Sequence, residues 1–384
     1  MNILLINYEY PPLGGGAGNA TREIGRAMTR NGHNVTVITS KTTDCCGTHW
    51  DNDIKIYRIR SLRRRNEQSN ILEMATFVLM ALMSAKEIAR KEKINAVVVF
   101  FTLPVGPVGL YLKRALNLPY IVSLRGGDVP GLVPELRLIH KLFQKLRRKV
   151  LENAMCVIAN SQELADLSMR SDSTTVVVIK NGVDSDFYSP LTTNMCTAVG
   201  QIVVRLLVVA RIQKQKDLPR ILRILSKLTK QTEVKFVLRV AGDGPDRIRS
   251  ERLVEQLGLQ EQIEWLGWLN KEELRSHYQQ ADCLLNFSHY EGLPNVVLEA
   301  MSSELLVLLS DIAPHRELVD DGVSGLLLPV EDDELAFNRL AQILGNWVRS
   351  AGYLNIRRNA RKEMVDHYRW SDVANKYLLR ISGN

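Results

Sequence analysis

Short apolar segments alternate with longer segments of helical spacing along the whole chain, and this pattern constrains the fold more than any other feature. Apolar runs at 3–7, 35–39 and 96–101 predict buried strands, with helical patterns between them. Strands that alternate with helices favour parallel sheets with helices on their faces. Because 384 residues exceed what one hydrophobic core usually serves, we expect two α/β domains of similar size.

The alternation also predicts where the two domains begin and end. A first domain is expected at 1–190, a linker with small polar residues at 189–200, and a second doubly wound domain at 200–366. Helices are predicted from about residue 20 to 31, over 71–91, and near 136–154. A last helix is predicted around 364–380 with no strand after it, and the segment from about 367 to 384 is expected to pack back on the first domain.

The net charge of +8 belongs to the first half of the chain. Residues 1–190 hold 25 Lys and Arg against 17 Asp and Glu, whereas the remainder holds 25 of each. Two basic runs, 58–65 and 141–149, carry much of the excess, and the second has apolar residues on one helical side: Leu142, Phe143, Leu146 and Val150. Such runs are either solvated helix faces or attract an anionic membrane surface or a phosphate-bearing acceptor. No RNP-like motif, zinc spacing or recognition-helix pattern supports nucleic acid as a partner.

Cysteine usage and apolar runs indicate the compartment. The five cysteines are odd in number and form no C-x-x-C pair, so they predict reduced thiols of a cytoplasmic protein. The longest apolar run, 74–85, is shorter than the roughly 20 residues that span a membrane. The N-terminus is typical of a first strand rather than a signal peptide. We expect a cytoplasmic protein that is peripheral at the inner face of the cell membrane.

The segment 288–300 carries the strongest functional signal. Pro294 suits the first position of a helix, and helix starts present backbone N–H groups that attract phosphate. Glu291 precedes this start and Glu299 lies inside the helix, so their carboxylates are predicted about 8–12 Å apart. That separation suits the two ends of a long ligand such as a nucleotide sugar. The candidate donor-binding residues here are Gly292, Leu293, Pro294, Asn295 and Glu299.

Two cations follow the first strand of the second domain. Arg211 ends that strand and Lys216 precedes the next helix, at the strand edge where open α/β sheets bind ligands. We expect the pair to neutralise a diphosphate as negative charge develops on it. Lys214 between them is a third cation that can simply be solvated. Arg211, Lys216 and Glu291 are therefore the candidate catalytic residues.

Two loops of the first domain are weaker candidates. Gly15 and Gly16 lie in a glycine-rich loop where the backbone can approach a phosphate or sugar closely, although a plain tight turn explains the glycines equally well. Arg125 and Asp128 follow the strand at 120–123 and are candidates for sugar or acceptor contacts. The alternative is an Arg–Asp pair that stabilises the loop.

Metal and histidine chemistry find little support in the sequence. The D-x-D strings at 51–53 and 184–186 are attributed to chance, and the cations make a metal unnecessary for charge neutralisation, so we predict no bound metal and no cofactor. His289 and His315 flank the Glu291 segment, but neither is placed as a general base.

Several motifs together resemble family 4 of the retaining, nucleotide-sugar-dependent glycosyltransferases (glycosyl transferases group 1). They are the loop 11–18, 125–131, 159–161, 181–184, Arg211 with Lys216, 242–245, 265–267 and 291–299. The resemblance covers nearly the full length and implies the GT-B fold, with two facing Rossmann-like domains and a cleft between them.

The resemblance also implies residue roles. Glu299 would hold the ribose hydroxyls, Arg211 and Lys216 the diphosphate, and Glu291 with the backbone of 292–295 the transferred sugar. The nucleotide base of the donor would lie near Gly242 and Leu266. Attack is expected from the face of the leaving group, with a donor phosphate oxygen taking the acceptor proton.

Four positions depart from the family pattern. Arg125 stands where many relatives have His, and Phe287 where they have Pro. Glu304 and Leu306 replace Gly and Pro, which predicts a less tightly turned loop before the strand at 307–309.

We expect a retaining hexosyltransferase that uses a nucleoside-diphosphate sugar, UDP in preference to GDP. The expected acceptor is a lipid-linked saccharide in surface polysaccharide or glycolipid synthesis. The alternatives are a nucleotide-sugar epimerase or phosphorylase on the same fold and, among non-enzymes, a nucleotide-sugar sensor or a basic nucleic-acid binder.

Overall fold

A computed structural model gives the fold of the chain. It describes residues 1–42, 45–63, 69–191, 203–346 and 351–383. These residues form two compact units: the first is Met1–Gly182 with Trp370–Asn384, and the second is Val183–Arg369. Most of the predicted linker, 192–200, lies outside the described residues, as do Arg64, Arg65 and Cys196.

The first unit contains a sheet that is parallel except at one edge. Its described strands pair in the order β3-β4-β2-β1-β5-β6-β7-β8, and only β3 runs antiparallel to its neighbour. The strands are β1 Asn2–Ile6, β2 Asn34–Ser40, β3 Gly47–Asp51, β4 Ile54–Ile59, β5 Ala96–Phe100, β6 Tyr120–Leu124, β7 Cys156–Ala159 and β8 Val176–Val178. Every residue of β5 and β6 is buried, as expected for central strands that are covered on both faces.

Helices connect these strands as the sequence pattern predicts for crossover connections. They are α1 Gly16–Arg30, α2 Ile71–Lys91, α3 Gly106–Leu116, α4 Arg137–Leu142, α5 Gln144–Glu152 and α6 Gln162–Ser171. The helix α2 begins at a capping box in which Asn70 and Glu73 exchange side-chain and backbone hydrogen bonds. The chain's last helix, α14 (Trp370–Ile381), packs against α1 and belongs to this unit.

The second unit contains a parallel sheet in the order β11-β10-β9-β12-β13-β14 over the described residues. Its strands are β9 Val203–Val209, β10 Lys235–Ala241, β11 Ile263–Gly267, β12 Cys283–Asn286, β13 Leu306–Ser310 and β14 Leu326–Leu328. Its helices are α7 Leu218–Gln231, α8 Arg247–Leu257, α9 Lys271–Gln280, α10 Asn295–Ser302, α11 Ala313–Arg316, α12 Asp333–Asn346 and α13 Ala351–His367. Because β9 lies between β10 and β12, the loops after these strands meet at one sheet edge.

Two helices of the first unit differ from their predicted limits. The helix α1 begins at Gly16 rather than near residue 20, so Gly16 and Gly18 belong to the helix and not to the loop before it. A Cβ on Gly18 would lie 2.9 Å from the Leu13 carbonyl oxygen, which explains a glycine inside this helix. The helix predicted near 136–154 is divided into α4 and α5 at Phe143. Arg147 of α5 is fully buried on Asp172, so tertiary contacts rather than a breaker residue shape this segment.

The helix predicted at 364–380 is two helices, α13 and α14. Tyr368 follows α13 in the chain and is buried, and its carbonyl accepts a hydrogen bond from the Val183 N–H at 2.7 Å. That bond takes the place of a continuing helical bond, because the carbonyl is directed to the neighbouring segment.

The looser turn predicted before β13 is not observed. Glu304 adopts φ +57°, the left-handed conformation that glycine accepts most readily. Its N–H donates to the Met301 carbonyl, and the Leu305 N–H donates to the Ala300 carbonyl, as at an ordinary helix C-terminus. The tight turn is therefore kept, and Glu304 bears the backbone strain.

Among the described helices, none combines the length and apolar character that a membrane span requires. Cys45, Cys46, Cys156 and Cys283 are free thiols.

Candidate active site

The carboxyl edge of the second sheet brings together two of the three candidate catalytic residues. Lys216 lies in a short 3-10 turn after β9, and Glu291 follows β12, the strand next to β9. The Lys216 Nζ contacts the Glu291 carboxylate directly. Their side chains are only 16% and 9% exposed, so water screens this ion pair weakly.

Polar neighbours hold the Glu291 carboxylate in place. The Ser288 hydroxyl donates to Glu291 Oε1 at 2.7 Å, and the Ser288 N–H donates to the Ser310 hydroxyl of β13 at 3.0 Å. A buried carboxylate needs such partners because an unpaired buried charge is costly. Glu291 is therefore fixed by both a cation and a hydroxyl.

Hydrogen bonds also tie the Lys216 turn to the Glu291 loop. The Gln215 amide donates to the Tyr290 carbonyl at 2.6 Å, and the Gln215 backbone carbonyl accepts from the His289 N–H at 2.9 Å. The two loops therefore form one connected surface at the sheet edge. Gln215 and Ser288 were not predicted as site residues, although each lies within three residues of a catalytic candidate.

Arg211, the third catalytic candidate, is half-buried in the segment after β9. The residue after Arg211 bonds to the glycine loop that follows β10 (residues 242–245): the Ile212 N–H donates to the Asp243 carbonyl at 3.0 Å. A Cβ on Gly242 would lie 1.9 Å from the Ala210 carbonyl oxygen, and one on Gly244 would lie 2.3 Å from that of Ile212. Only glycine permits this approach, which fixes the backbone on both sides of Arg211.

Gly242 and Leu266, the two residues predicted near the nucleotide base, are neighbours in the fold. The Gly242 N–H donates to the carbonyl of Gly267, the residue after Leu266, at 2.6 Å. Leu266 is half-buried and Trp268 is 52% exposed. The loops after β10 and β11 thus present backbone and apolar side chains on one edge, next to the segment that carries Arg211.

The start of α10 differs by one residue from the prediction. Pro294 is the N-cap, with ψ 103°, and Asn295 is the first helical residue, so Pro294 does not occupy the first helical position. Leu293 is 6% exposed and packs into an apolar cluster with Val297, so only its backbone can face a ligand. Gly292 and Asn295 are half-buried. The helix end still directs its dipole toward the Glu291 loop.

Glu299 lies on the second turn of α10 and is half-buried. Its Oε2 accepts a hydrogen bond from the Tyr278 hydroxyl of α9 at 2.9 Å. Burial, and then the nearby Glu299 charge, raise the pKa of Tyr278, so this hydroxyl remains a donor. Tyr278 was not predicted, since nothing in the sequence places α9 beside α10.

The two histidines near Glu291 differ in environment. His289 is 53% exposed at the side chain and lies 3.5 Å from Asp217. His315 is completely buried, and its Nδ1 lies 2.7 Å from the Ser310 carbonyl, which makes Nδ1 the protonated nitrogen. Burial lowers the pKa of His315, although Glu291 opposes the shift. His315 therefore contacts Ser310, the residue whose hydroxyl also accepts from the Ser288 N–H.

The remaining candidates lie in the first unit. Gly15 is the N-cap of α1 and Gly16 its first residue, so both are at the helix N-terminus. A Cβ on Gly15 would meet no atom within 4 Å, so the backbone there is open to approach. This placement is compatible with both a binding loop and a plain turn.

Arg125 and Asp128 do not pair through their side chains. The Asp128 carboxylate accepts from the backbone N–H groups of Thr102, Arg125 and Gly126 at 2.7, 3.0 and 3.0 Å. The Arg125 guanidinium donates to Asn181 at 2.7 Å and to the Tyr377 hydroxyl of α14 at 3.1 Å. Asp128, 4% exposed, therefore shapes the loop, and Arg125 joins it to α14.

The D-x-D strings have protein partners. Asp51 accepts from the Tyr10 hydroxyl at 2.8 Å and pairs with Arg26 at 2.7 Å. Asp184 accepts from the Phe187 N–H at 3.1 Å. Over the described ranges, no group of three or more His, Cys, Asp or Glu side chains is arranged to hold a metal ion.

Two family models match the chain over adjacent stretches. Residues 204–363 match the model described as glycosyl transferases group 1, and residues 14–187 match that of glycosyltransferase family 4. The chain is 25% identical to an uncharacterized glycosyltransferase of Methanocaldococcus jannaschii, over 97% of this chain and 96% of the relative. It is 23% identical to the alpha-monoglucosyldiacylglycerol synthase of Acholeplasma laidlawii, over 85% of this chain and 84% of the relative.

Solved structures confirm the expected GT-B fold. The sucrose-phosphate synthase of Thermosynechococcus elongatus superposes with a TM-score of 0.85 at 21% identity, covering 100% of both chains. The Anabaena protein HepE in complex with UDP-glucose superposes with a TM-score of 0.75 at 17% identity, again over 100% of both. At these identities the likeness shows the fold alone.

Proposed function

We propose, from the premise that this chain belongs to the group 1 glycosyltransferases of family 4, that it transfers a hexosyl residue from a nucleoside-diphosphate sugar with retention of configuration. The observation that supports this activity most directly is the buried contact of Lys216 with Glu291, at the sheet edge where open α/β folds bind ligands. UDP is proposed in preference to GDP, and a solved protein of the same fold was crystallised with UDP-glucose.

Lys216 has the position and charge to assist departure of the diphosphate. Negative charge grows on the bridging phosphate oxygen as the bond to the sugar breaks, so a fixed cation stabilises the transition state more than the ground state. Glu291 holds the Lys216 ammonium in place and, with the backbone of Gly292, faces the sugar hydroxyls. Arg211 is proposed to contact the diphosphate, and Glu299 the ribose.

Retention follows from attack on the face from which the diphosphate departs. The acceptor oxygen forms a bond to the anomeric carbon, the bond from that carbon to the phosphate oxygen breaks, and the acceptor proton passes to a donor phosphate oxygen. Neither nearby histidine suits a base: His315 is buried on Ser310, and His289 is largely exposed beside Asp217.

Metal independence is part of the proposal. Two cations at the diphosphate position, Lys216 and Arg211, supply the charge that a divalent ion would otherwise supply. Addition of EDTA is expected to leave turnover unchanged.

We propose a lipid-linked saccharide acceptor in surface polysaccharide or glycolipid synthesis, reached at the cytoplasmic face of the membrane. The excess positive charge of residues 1–190 supports this assignment, because anionic lipids attract such a surface. The Acholeplasma relative is named for a glucosylated diacylglycerol, which is also a lipid.

The direct test is nucleoside-diphosphate release from a panel of UDP- and GDP-sugars, with polyprenyl-linked and diacylglycerol-linked saccharides as acceptors and EDTA present. NMR of the product gives the anomeric configuration. The proposal predicts release that depends on both substrates and an axial linkage from an axial donor. An equatorial linkage would overturn retention, and a requirement for added metal would overturn metal independence.

A further inference from the structure

The helix pair α4–α5 exposes apolar side chains that the fold does not use. We call the exposed residues of 137–149 the α4–α5 patch. Its apolar members and their exposures are Leu138 80%, Leu142 77%, Phe143 43% and Leu146 37%. Several exposed large apolar side chains that lie close together in the chain are typical of an interaction surface.

Other residues of the same helices make the contacts with the protein core. Val150 and Leu151 are buried in the core, and Arg147, only 1% exposed, donates to Asp172 at 2.7 Å and to Ser168 at 3.0 Å. Packing therefore does not require Leu138 or Leu142, and their exposure needs another explanation.

Exposed cations alternate with these apolar side chains along the chain. The basic residues on the outward side are Arg137, Lys141, Lys145, Arg148 and Lys149, and no acidic residue stands between Glu135 and Glu152. Lys145, Arg148 and Lys149 also line a concavity of about 540 Å³ together with Gln144, Glu152 and Asn153. The patch thus joins apolar side chains, which favour a hydrocarbon environment, to ammonium and guanidinium groups, which favour phosphates.

We propose that the α4–α5 patch docks this protein on an anionic lipid membrane. Leu138, Leu142 and Phe143 enter the boundary between headgroups and acyl chains, while the basic side chains contact lipid phosphates. A helix with an apolar side and a strongly basic side has the composition of an interfacial helix.

Charge complementarity selects the membrane over a second copy of the chain. Two α4–α5 patches brought face to face would place like charges against one another, which is unfavourable. The helix α2 provides a contrast, since its exposed Leu79 and Met83 belong to a stretch with no exposed charge from Ile71 to Ala85. Apolar exposure on α2 therefore lacks the electrostatic component of the α4–α5 patch.

This inference deepens the proposed function, on which it rests for its biological meaning, by locating the surface that would present the enzyme to a lipid-linked acceptor. Vesicle binding needs neither donor nor acceptor, whereas nucleoside-diphosphate release from a water-soluble acceptor needs no vesicle. Failure of one assay is therefore distinguishable from failure of the other.

The test is co-sedimentation of the full chain with vesicles of phosphatidylcholine and phosphatidylglycerol in equal parts, and with pure phosphatidylcholine. Lys145→Glu/Arg148→Glu and Leu138→Ser/Leu142→Ser alter exposed positions only, and unchanged melting temperatures verify their folding. Matched controls are Arg249→Glu/Arg252→Glu on α8 for charge and Leu79→Ser/Met83→Ser on α2 for apolar exposure.

We expect binding to the anionic vesicles that falls with added salt and is weakened about tenfold or more by each patch variant. Both controls should bind like the wild type, and pure phosphatidylcholine should bind weakly. Absence of binding, or equal losses in the controls, would overturn the proposal. So would a wild-type dimer that Leu138→Ser/Leu142→Ser converts to a monomer, or displacement from vesicles by equimolar free phosphate.

Discussion

Gly242→Ala tests whether the glycine loop after β10 positions Arg211. The new Cβ would lie 1.9 Å from the Ala210 carbonyl oxygen, and real Cβ atoms essentially never approach within 3.0 Å. Relief therefore requires the two backbones to separate by about 1 Å, since neither is a flexible side-chain end. The backbone at Gly242, with φ +127°, is also strained for any residue with a Cβ.

Overpacking and backbone strain each cost about 1–3 kcal/mol, so we expect the free energy of unfolding to fall by about 2–6 kcal/mol. For a unit of this size each kcal/mol lowers the melting temperature by about 2–4 °C. Because Arg211 directly follows Ala210, a shift of about 1 Å is also expected to lower turnover by about 100-fold.

Gly258→Ala is the matched control. Gly258 also has positive φ, +70°, but a Cβ there meets no atom within 4 Å, so only about 1 kcal/mol of backbone strain is expected. Calorimetry and nucleoside-diphosphate release measure both variants. Equal melting temperatures and equal turnover in Gly242→Ala and Gly258→Ala would refute the positioning argument.

Three other variants test the second unit in different ways. Lys216→Ala should lower turnover about 10²–10³-fold with a much smaller change in nucleotide affinity. Lys214→Ala, at an exposed neighbouring position, should change neither turnover nor affinity. Small effects of similar size on turnover in both variants would contradict the role of Lys216. Glu304→Gly should raise the free energy of unfolding by about 0.5–1 kcal/mol in urea titrations by relieving the left-handed strain, while Glu304→Ala should not; a destabilised Glu304→Gly would disprove the strain. Burial lowers the pKa of His315 from 6.5, so the unfolded state binds more protons than the folded state near that pH. The contribution of His315 to the free energy of unfolding is therefore intact above about pH 6.5 and is lost as pH falls below it. His315→Asn should reduce the decline in stability between pH 7 and 5, and an unchanged decline would exclude the effect.

The sequence predicted the sheets well because their signal is local. The strands predicted at 3–7, 35–39 and 96–101 agree with β1, β2 and β5 to within one residue at each end, since runs of β-branched and aliphatic residues mark them directly. The sequence placed Arg211 and Lys216 at the carboxyl edge of the second sheet. It did not predict the contact of Lys216 with Glu291, which depends on β12 being the neighbour of β9.

Features that depend on distant contacts were not predictable. The contact of Tyr278 with Glu299 requires α9 to lie beside α10, and the interruption at Tyr368 requires the Val183 N–H as its partner. Pro294 became an N-cap rather than a first helical residue, a difference of one residue that falls within the usual uncertainty of helix ends. The predicted separation of Glu291 from Glu299 stays a prediction.

The most direct measurement of the central claim is the melting temperature of the wild type and of Glu299→Ala with UDP, GDP, ADP and their sugars, without added metal. We predict that one nucleotide class stabilises the wild type, by about 2.7 kcal/mol at a ligand concentration 100 times the dissociation constant, and that Glu299→Ala loses most of this stabilisation. A folded wild type that no nucleotide or nucleotide sugar stabilises, or equal stabilisation of Glu299→Ala, would contradict a donor site built on α10.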